Sequence, residues 1–206
     1  MKVSVIGGGG QVGLPMCLVL ADAGHYVYGI DLNEQNNQLV MSGKMPFREQ
    51  EGEEYLQRCL GAKRLTMTSD ISVVKQSEVI IIVIGTPVDE HFNPVLAPLR
   101  NLMLQLCCLL QAGQLIILRS TVSPGTTDGI KRLIEEETRL LVGRDVYLVF
   151  APERVIEGRA IEEVRILPQL VGAYDDTSYE EAERFFMTFL QSYCIRLTPS
   201  EAEIGK

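Results

Sequence analysis

Five short apolar runs, separated by helix-length stretches, limit what this chain can fold into. Val3–Ile6, Tyr26–Ile30, Val79–Ile84, Leu115–Leu118 and Val146–Phe150 are each four to six residues long and apolar nearly throughout. A strand with one wet face alternates polar and apolar residues, so uniformly apolar strands are covered on both sides. Helical candidates lie between them at Val12–Ala23, Glu34–Ser42, Glu51–Leu60, Leu96–Gln111 and Thr126–Leu141. This alternation predicts right-handed βαβ units in an α/β fold: a doubly wound, mainly parallel sheet with helices on both faces. A strand at Gln169–Val171, a helix at Ser178–Gln191 and a strand near Tyr193–Leu197 continue the pattern. Ser200, with Glu203 three residues on, reads as the capping box of one more helix, which is cut off almost at once. There is no repeat, low-complexity tract or linker.

A chain of 206 residues has room for a full core. With 46% hydrophobic and 22% charged residues it is not disordered as a whole. Its 19 basic and 27 acidic side chains leave a formal charge of −8. No basic surplus exists to neutralise phosphates, which argues against nucleic acid or an anionic membrane as partner. No apolar run reaches the roughly 18–20 residues of a membrane span. The opening residues pass from one short strand into a glycine run, which is not the pattern of a signal peptide. The five cysteines (Cys17, Cys59, Cys107, Cys108 and Cys194) form no CxxC pair, so they read as reduced thiols in a cytoplasmic protein. Cys17, Cys107 and Cys108 read as small buried hydrophobes. With only His25 and His91, a histidine-built metal centre or triad is not expected.

The loop after the first strand carries Gly8, Gly10 and Gly13 in a G-x-G-x-x-G register, followed at once by a helix. Glycine serves three needs there: a tight turn, close approach of backbone to a pyrophosphate, and close helix–strand packing. The helix starting near Gln11 and Val12 would offer N–H groups and a positive dipole end to the phosphates. Asp31 closes the second strand, 23 residues after Gly8, near the spacing expected for an acid that accepts the adenosine ribose hydroxyls. A carboxylate there repels a 2′-phosphate, and Leu32-Asn33 supplies no arginine to receive one. The cofactor read from these residues is NAD rather than NADP. The plain alternative for Asp31 is a cap on the helix that starts near Asn33.

VIGGGGQVGLP, GIDLN, VIGTPVDEHFNP, RSTVSPGTT, APERVIEGRA and PSEAEIGK follow in the order seen in the UDP-glucose/GDP-mannose dehydrogenase family, which the whole chain resembles. The APER and GTPVDEHFNP stretches look most like its UDP-N-acetyl-mannosamine or glucosamine branch. The resemblance implies a Rossmann-like NAD-binding domain over residues 1–198 and, over 199–206, the beginning of a connecting helix. It implies that the central dimerisation helix and the C-terminal UDP-binding half are absent from these residues, and that the full-length enzyme is a homo-oligomer. The implied reaction is oxidation of the C6 alcohol of a UDP-sugar to a uronic acid with two NAD, in polysaccharide biosynthesis.

By resemblance, Thr86 and Pro87 line the NAD pocket, and Thr121 lies near the reaction centre. Glu153, Arg154 and Val155 belong to a loop that wraps the sugar, and Glu157 acts as an acid/base close to the cofactor. Lys206 contacts the sugar hydroxyl and the developing oxyanion. Taken alone, Glu157 reads as a solvated loop glutamate and Lys206 as an exposed, frayed lysine. The loop appears one residue longer than the family's strand–GxGxxG join. The family's nucleophilic cysteine has no counterpart among the five thiols, which implies a piece inactive by itself. Two other readings remain open: a stand-alone NAD-binding module, and the cofactor domain of a β-hydroxyacid dehydrogenase.

Overall fold

The computed structural model describes residues 1–87, 90 and 95–206. Its frame is one eight-stranded sheet: β1 (Lys2–Ile6), β2 (Tyr26–Ile30), β3 (Leu65–Thr68), β4 (Val79–Ile82), β5 (Leu115–Leu118), β6 (Tyr147–Phe150), β7 (Gln169–Ala173) and β8 (Cys194–Leu197). The order is β3-β2-β1-β4-β5-β6-β7-β8, parallel from β3 to β6. β7 runs antiparallel to β6, and β8 parallel to β7. The sheet is therefore mainly parallel, with its direction reversed over the last two strands. That reversal departs from a simple continuation of the βαβ pattern, and it has a local cause. The short α6 (Ala160–Ile166) lies on the α1 side and leads directly into β7 through Leu167-Pro168, without the full crossover that a parallel strand needs.

Side-chain alternation along the central strands feeds two cores. Val3, Val5, Val79, Ile81, Leu115 and Ile117 point to one face, against α1 (Gly13–Asp22), α3 (Gly52–Gly61), α6 and α7 (Asp176–Phe186). Ile80, Ile82, Ile116 and Leu118 point to the other, against α4 (Ala97–Cys107), α5 (Thr126–Thr138) and α8 (Pro199–Ile204). Each fully buried side chain of this size contributes roughly 1.5–3 kcal/mol. α1 is buried over nine of its ten residues, so it has almost no polar face. α7 is amphipathic and opens on Asp175, whose side chain accepts from Ser178 N. α2 (Glu34–Met41) opens on Asn33, which accepts from Asn36 N.

Several boundaries differ from the sequence reading. β4 stops at Ile82, and Val83 and Ile84 already belong to the following loop. β3, the 3-10 turn Ile71–Gln76 and α6 are additional. The last helix opens on Thr198, whose side chain accepts from Glu201 N while the Glu201 carboxylate accepts from Thr198 N. The capping box is therefore Thr198/Glu201 and not Ser200/Glu203, because Pro199 suits the first helical position and sets the frame two residues earlier. Cys17 is buried as expected, but Cys107 is only partly buried and Cys108 is exposed at the end of α4, where the apolar run outlasts the helix face that packs. Among the described residues no helix is long and apolar enough to cross a membrane.

Candidate functional site

The loops leaving the carboxyl ends of β1, β4, β5 and β6 meet at one edge of the sheet. The strand order reverses between β1 and β4, so this edge is the crevice where open α/β sheets take ligands. The sequence-predicted site residues come from these loops, from Gly13 at the start of α1, from Asp31 just beyond β2, and from Lys206 just beyond α8. The stretch Val88, Asp89 and His91–Pro94 of the GTPVDEHFNP motif lies outside the described residues.

The glycine loop is built by close backbone contact. Gly7 N and Gly8 N both donate to Ile30 O, at 2.8 and 3.1 Å, so one carbonyl holds the turn. Gly7 has φ +87°, and a Cβ on Gly13 would lie 2.0 Å from Gly7 O, so α1 packs on the loop only through a glycine. Gly10 N donates to Gly7 O at 3.1 Å, closing a turn within the loop. Beyond it, α1 begins after Val12 with no side-chain cap and no acidic residue in its first turn. That leaves the helix start for an anion.

Asp31 faces this loop. Its Oδ2 accepts from Gly9 N at 3.0 Å and its Oδ1 from Asn33 N at 2.9 Å, while Asn33 rather than Asp31 caps α2. A cavity of about 580 Å³ opens beside it, lined among others by Gly7, Gly10, Asp31, Leu32, Ile71 and Leu102. An apolar slot with one carboxylate at its side and bare backbone at its end fits the adenosine and diphosphate of a dinucleotide. On the other side of the loop, a second cavity of about 640 Å³ is lined by Gln11, Arg48, Glu49 and Glu157. With its amide turned toward the carboxylate, Gln11 Nε2 donates to Glu157 Oε1 at 2.6 Å. Glu157 is exposed.

The β4 and β5 loops are tied together. Ser120 Oγ donates to Ile84 O at 2.7 Å, and Thr86 Oγ1 donates to Thr121 O. Pro87 and Thr121 lie exposed on that shared rim.

The β6 loop holds the arrangement that the sequence reading missed. Arg119, 2% exposed at the end of β5, donates through Nη2 to Glu153 Oε2 and through Nη1 to Gln169 Oε1 at 3.0 Å. The other carboxylate oxygen of Glu153 accepts from Arg154 N at 2.8 Å. Both oxygens are thus engaged inside the protein, and the Glu153 N–H donates to Arg119 O at 3.2 Å. Lys206 Nζ donates to Glu153 O, so this lysine is seated, not frayed. Partial burial of the ammonium holds it below the usual lysine range; Glu153 opposes that, while Arg119 and Arg154 reinforce it. Arg154 reaches Pro168 O, and Val155 packs against the α1-side core. The only sequence signal for Arg119 is a charge placed directly after the apolar run Leu115–Leu118.

Residues 1–190 match the model of the UDP-glucose/GDP-mannose dehydrogenase family, NAD binding domain. The chain belongs to this family. Along its whole length it is 30% identical to UDP-N-acetyl-D-mannosamine dehydrogenase from Pyrococcus horikoshii, covering 49% of that protein. The corresponding solved structure superposes with a TM-score of 0.95 over the whole chain and 49% of its own. GDP-mannose dehydrogenase from Pseudomonas aeruginosa, solved as a ternary complex, is 28% identical with a TM-score of 0.93, over the whole chain and 48% of its own. The chain spans about half the length of the curated relatives it matches. The family cofactor is NAD, and the glycine loop, the uncapped α1 and the Asp31 cavity fit it.

Proposed function

We propose that this chain is the NAD-binding portion of an enzyme that oxidises the C6 alcohol of a UDP-N-acetyl-hexosamine to the uronic acid. The observation that carries the reading is the convergence of the glycine loop, Asp31, Thr121 and Lys206 on one crevice, in a chain whose full-length relatives are named for UDP-N-acetyl-D-mannosamine. NAD, when bound, accepts a hydride, and two equivalents are needed for four electrons. Gly8, Gly10, Gln11, Val12 and Gly13 would hold its diphosphate and Asp31 its ribose. Thr86, Pro87, Thr121 and Glu157 would line the remainder, and the loop of Glu153, Arg154 and Val155 would wrap the sugar. The Lys206 ammonium would stabilise negative charge on the sugar C6 oxygen as it builds up, an interaction strongest in the transition state. Glu157, exposed and adjacent to Gln11, is the group available to move a proton to or from water.

A thiol is needed to carry the aldehyde to the acid, and the thiols here are unsuited. Burial pushes Cys17 well above the usual thiol range and Cys59, Cys107 and Cys194 up to about 11. Cys108 closes α4, which returns to the amino ends of the strands, opposite the crevice. On this reading the nucleophile would come from outside residues 1–206. The test is to compare this chain with the longer polypeptide extended to its relatives' length, using UDP-N-acetylmannosamine and NAD. Acid formation by the longer protein alone is the expected result. Acid formation by residues 1–206, or none by either with any UDP-hexosamine, overturns the reading.

A further inference from the structure

Helix α5 starts without a side-chain cap of its own: Gly125 at its N-cap has no side chain, Thr126 N donates to Ser123 O, and Gly125 N and Thr127 N are satisfied from far along the chain. Glu203, 6% exposed, accepts from Gly125 N at 2.7 Å through Oε2. Through Oε1 it accepts from Thr127 N at 2.7 Å and from Thr127 Oγ1 at 2.6 Å. Three donors and the positive end of a thirteen-residue helix fix this carboxylate. The same residue sits in α8, which is pressed onto β7 at Gly172. A Cβ on Gly172 would come within 2.8 Å of both Ala202 Cβ and Pro199 Cα. Ala202 is fully buried beside Glu203, and three residues after Glu203 the Lys206 ammonium meets Glu153 O.

We propose that Glu203 is a positioning residue: by clamping α8 to the start of α5, it holds Lys206 at the crevice in register with Thr121. α5 is joined to β5 through Arg119–Gly125, and Ser120 within that connection donates to Ile84 O. One carboxylate therefore sets the β5 loop and the lysine against each other. The inference rests on the reaction role given to Lys206 above, and it separates Glu203 from an ordinary stability cap. An ordinary cap would leave the state of Lys206 and the turnover of folded protein unchanged.

The experiment uses the longer polypeptide with Glu203→Ala, Glu203→Gln, Thr127→Val and Lys206→Met. Lys206 titration is followed by NMR of 13C-labelled lysine, alongside kcat and KM for UDP-N-acetylmannosamine and NAD. In Glu203→Ala, Lys206 is expected to move up to the ordinary lysine value of about 10.4. In the same variant kcat falls about 10²-fold, the scale of a misplacement of about 1 Å, with KM for NAD unchanged. Glu203→Gln, which keeps acceptor capacity on one oxygen, restores most of both. Thr127→Val removes one of the three donors and gives a smaller shift in the same direction, which decides the matter if Glu203→Ala does not fold. A folded Glu203→Ala or Thr127→Val protein with native Lys206 titration and native kcat overturns the clamp. Native kcat in Lys206→Met overturns the functional reading of the lysine instead, and the titration shift alone then judges the clamp.

Discussion

The glycines of the first loop do two separable jobs. Gly13 exists for packing, since its Cβ would collide with Gly7 O at 2.0 Å. Gly13→Ala should cost about 1–3 kcal/mol of stability, measured by denaturant unfolding, whether or not cofactor is present. Gly10 has space: its Cβ would come no nearer than 3.4 Å to Gly7 O. Gly10→Ala should keep the unfolding midpoint and lose NAD affinity by at least about tenfold in calorimetric titration, because only a bound diphosphate needs that approach. Asp31→Ala should weaken NAD binding similarly, with the added loss of the Gly9 N contact. Asp22→Ala is the contrasting change. Asp22 bridges Arg58 and Arg165 on the neighbouring α3 and α6, so its loss should cost about 1 kcal/mol of stability and leave NAD affinity alone.

At the scale of elements, His25 links the turn before β2 to the end of α7. Thr188 Oγ1 donates to Phe185 O, so the His25 Nε2–H donates to Thr188 Oγ1 at 2.8 Å. Nδ1 is then left buried without a partner, beside the Phe185 ring. Desolvation lowers the histidine pKa, helped by the N-terminus and Arg64 and opposed by Glu78. A lowered folded-state pKa means the unfolded chain binds the proton more readily. Stability is then full above the unfolded value of about 6.5 and declines as pH falls below it. The thermal midpoint should drop from about pH 7 toward about pH 5, and His25→Gln, which keeps a donor for Thr188, should flatten that slope.

The elements that could be read from sequence were those with a strong period or an apolar run: β1, β2, β4, β5 and β6, and helices such as α1 and the amphipathic α5 and α7. β3, with Thr66 and Thr68 in four residues, is an edge strand whose alternation is too short to stand out. α6 has seven residues and hides inside a motif read for its chemistry. The placement of the glycine loop and Asp31 at strand ends was legible because glycine and acid spacing reports backbone needs. Arg119 and Glu203 were not, because a buried ion pair and a cap supplied 76 residues away leave no local pattern.

For the whole molecule, net charge was a poor guide to ligand. A charge of −8 argues against polyanion binding, yet on the proposed reading a diphosphate would be met by backbone N–H groups and a helix end, which net charge does not count. Asp31 would then select among dinucleotides. The most direct test is calorimetric titration of the protein with NAD and with NADP under one set of conditions. Saturable NAD binding at least about tenfold tighter than NADP is expected, with the preference abolished in Asp31→Ala. Equal or tighter binding of NADP, or a preference that survives Asp31→Ala, would contradict it.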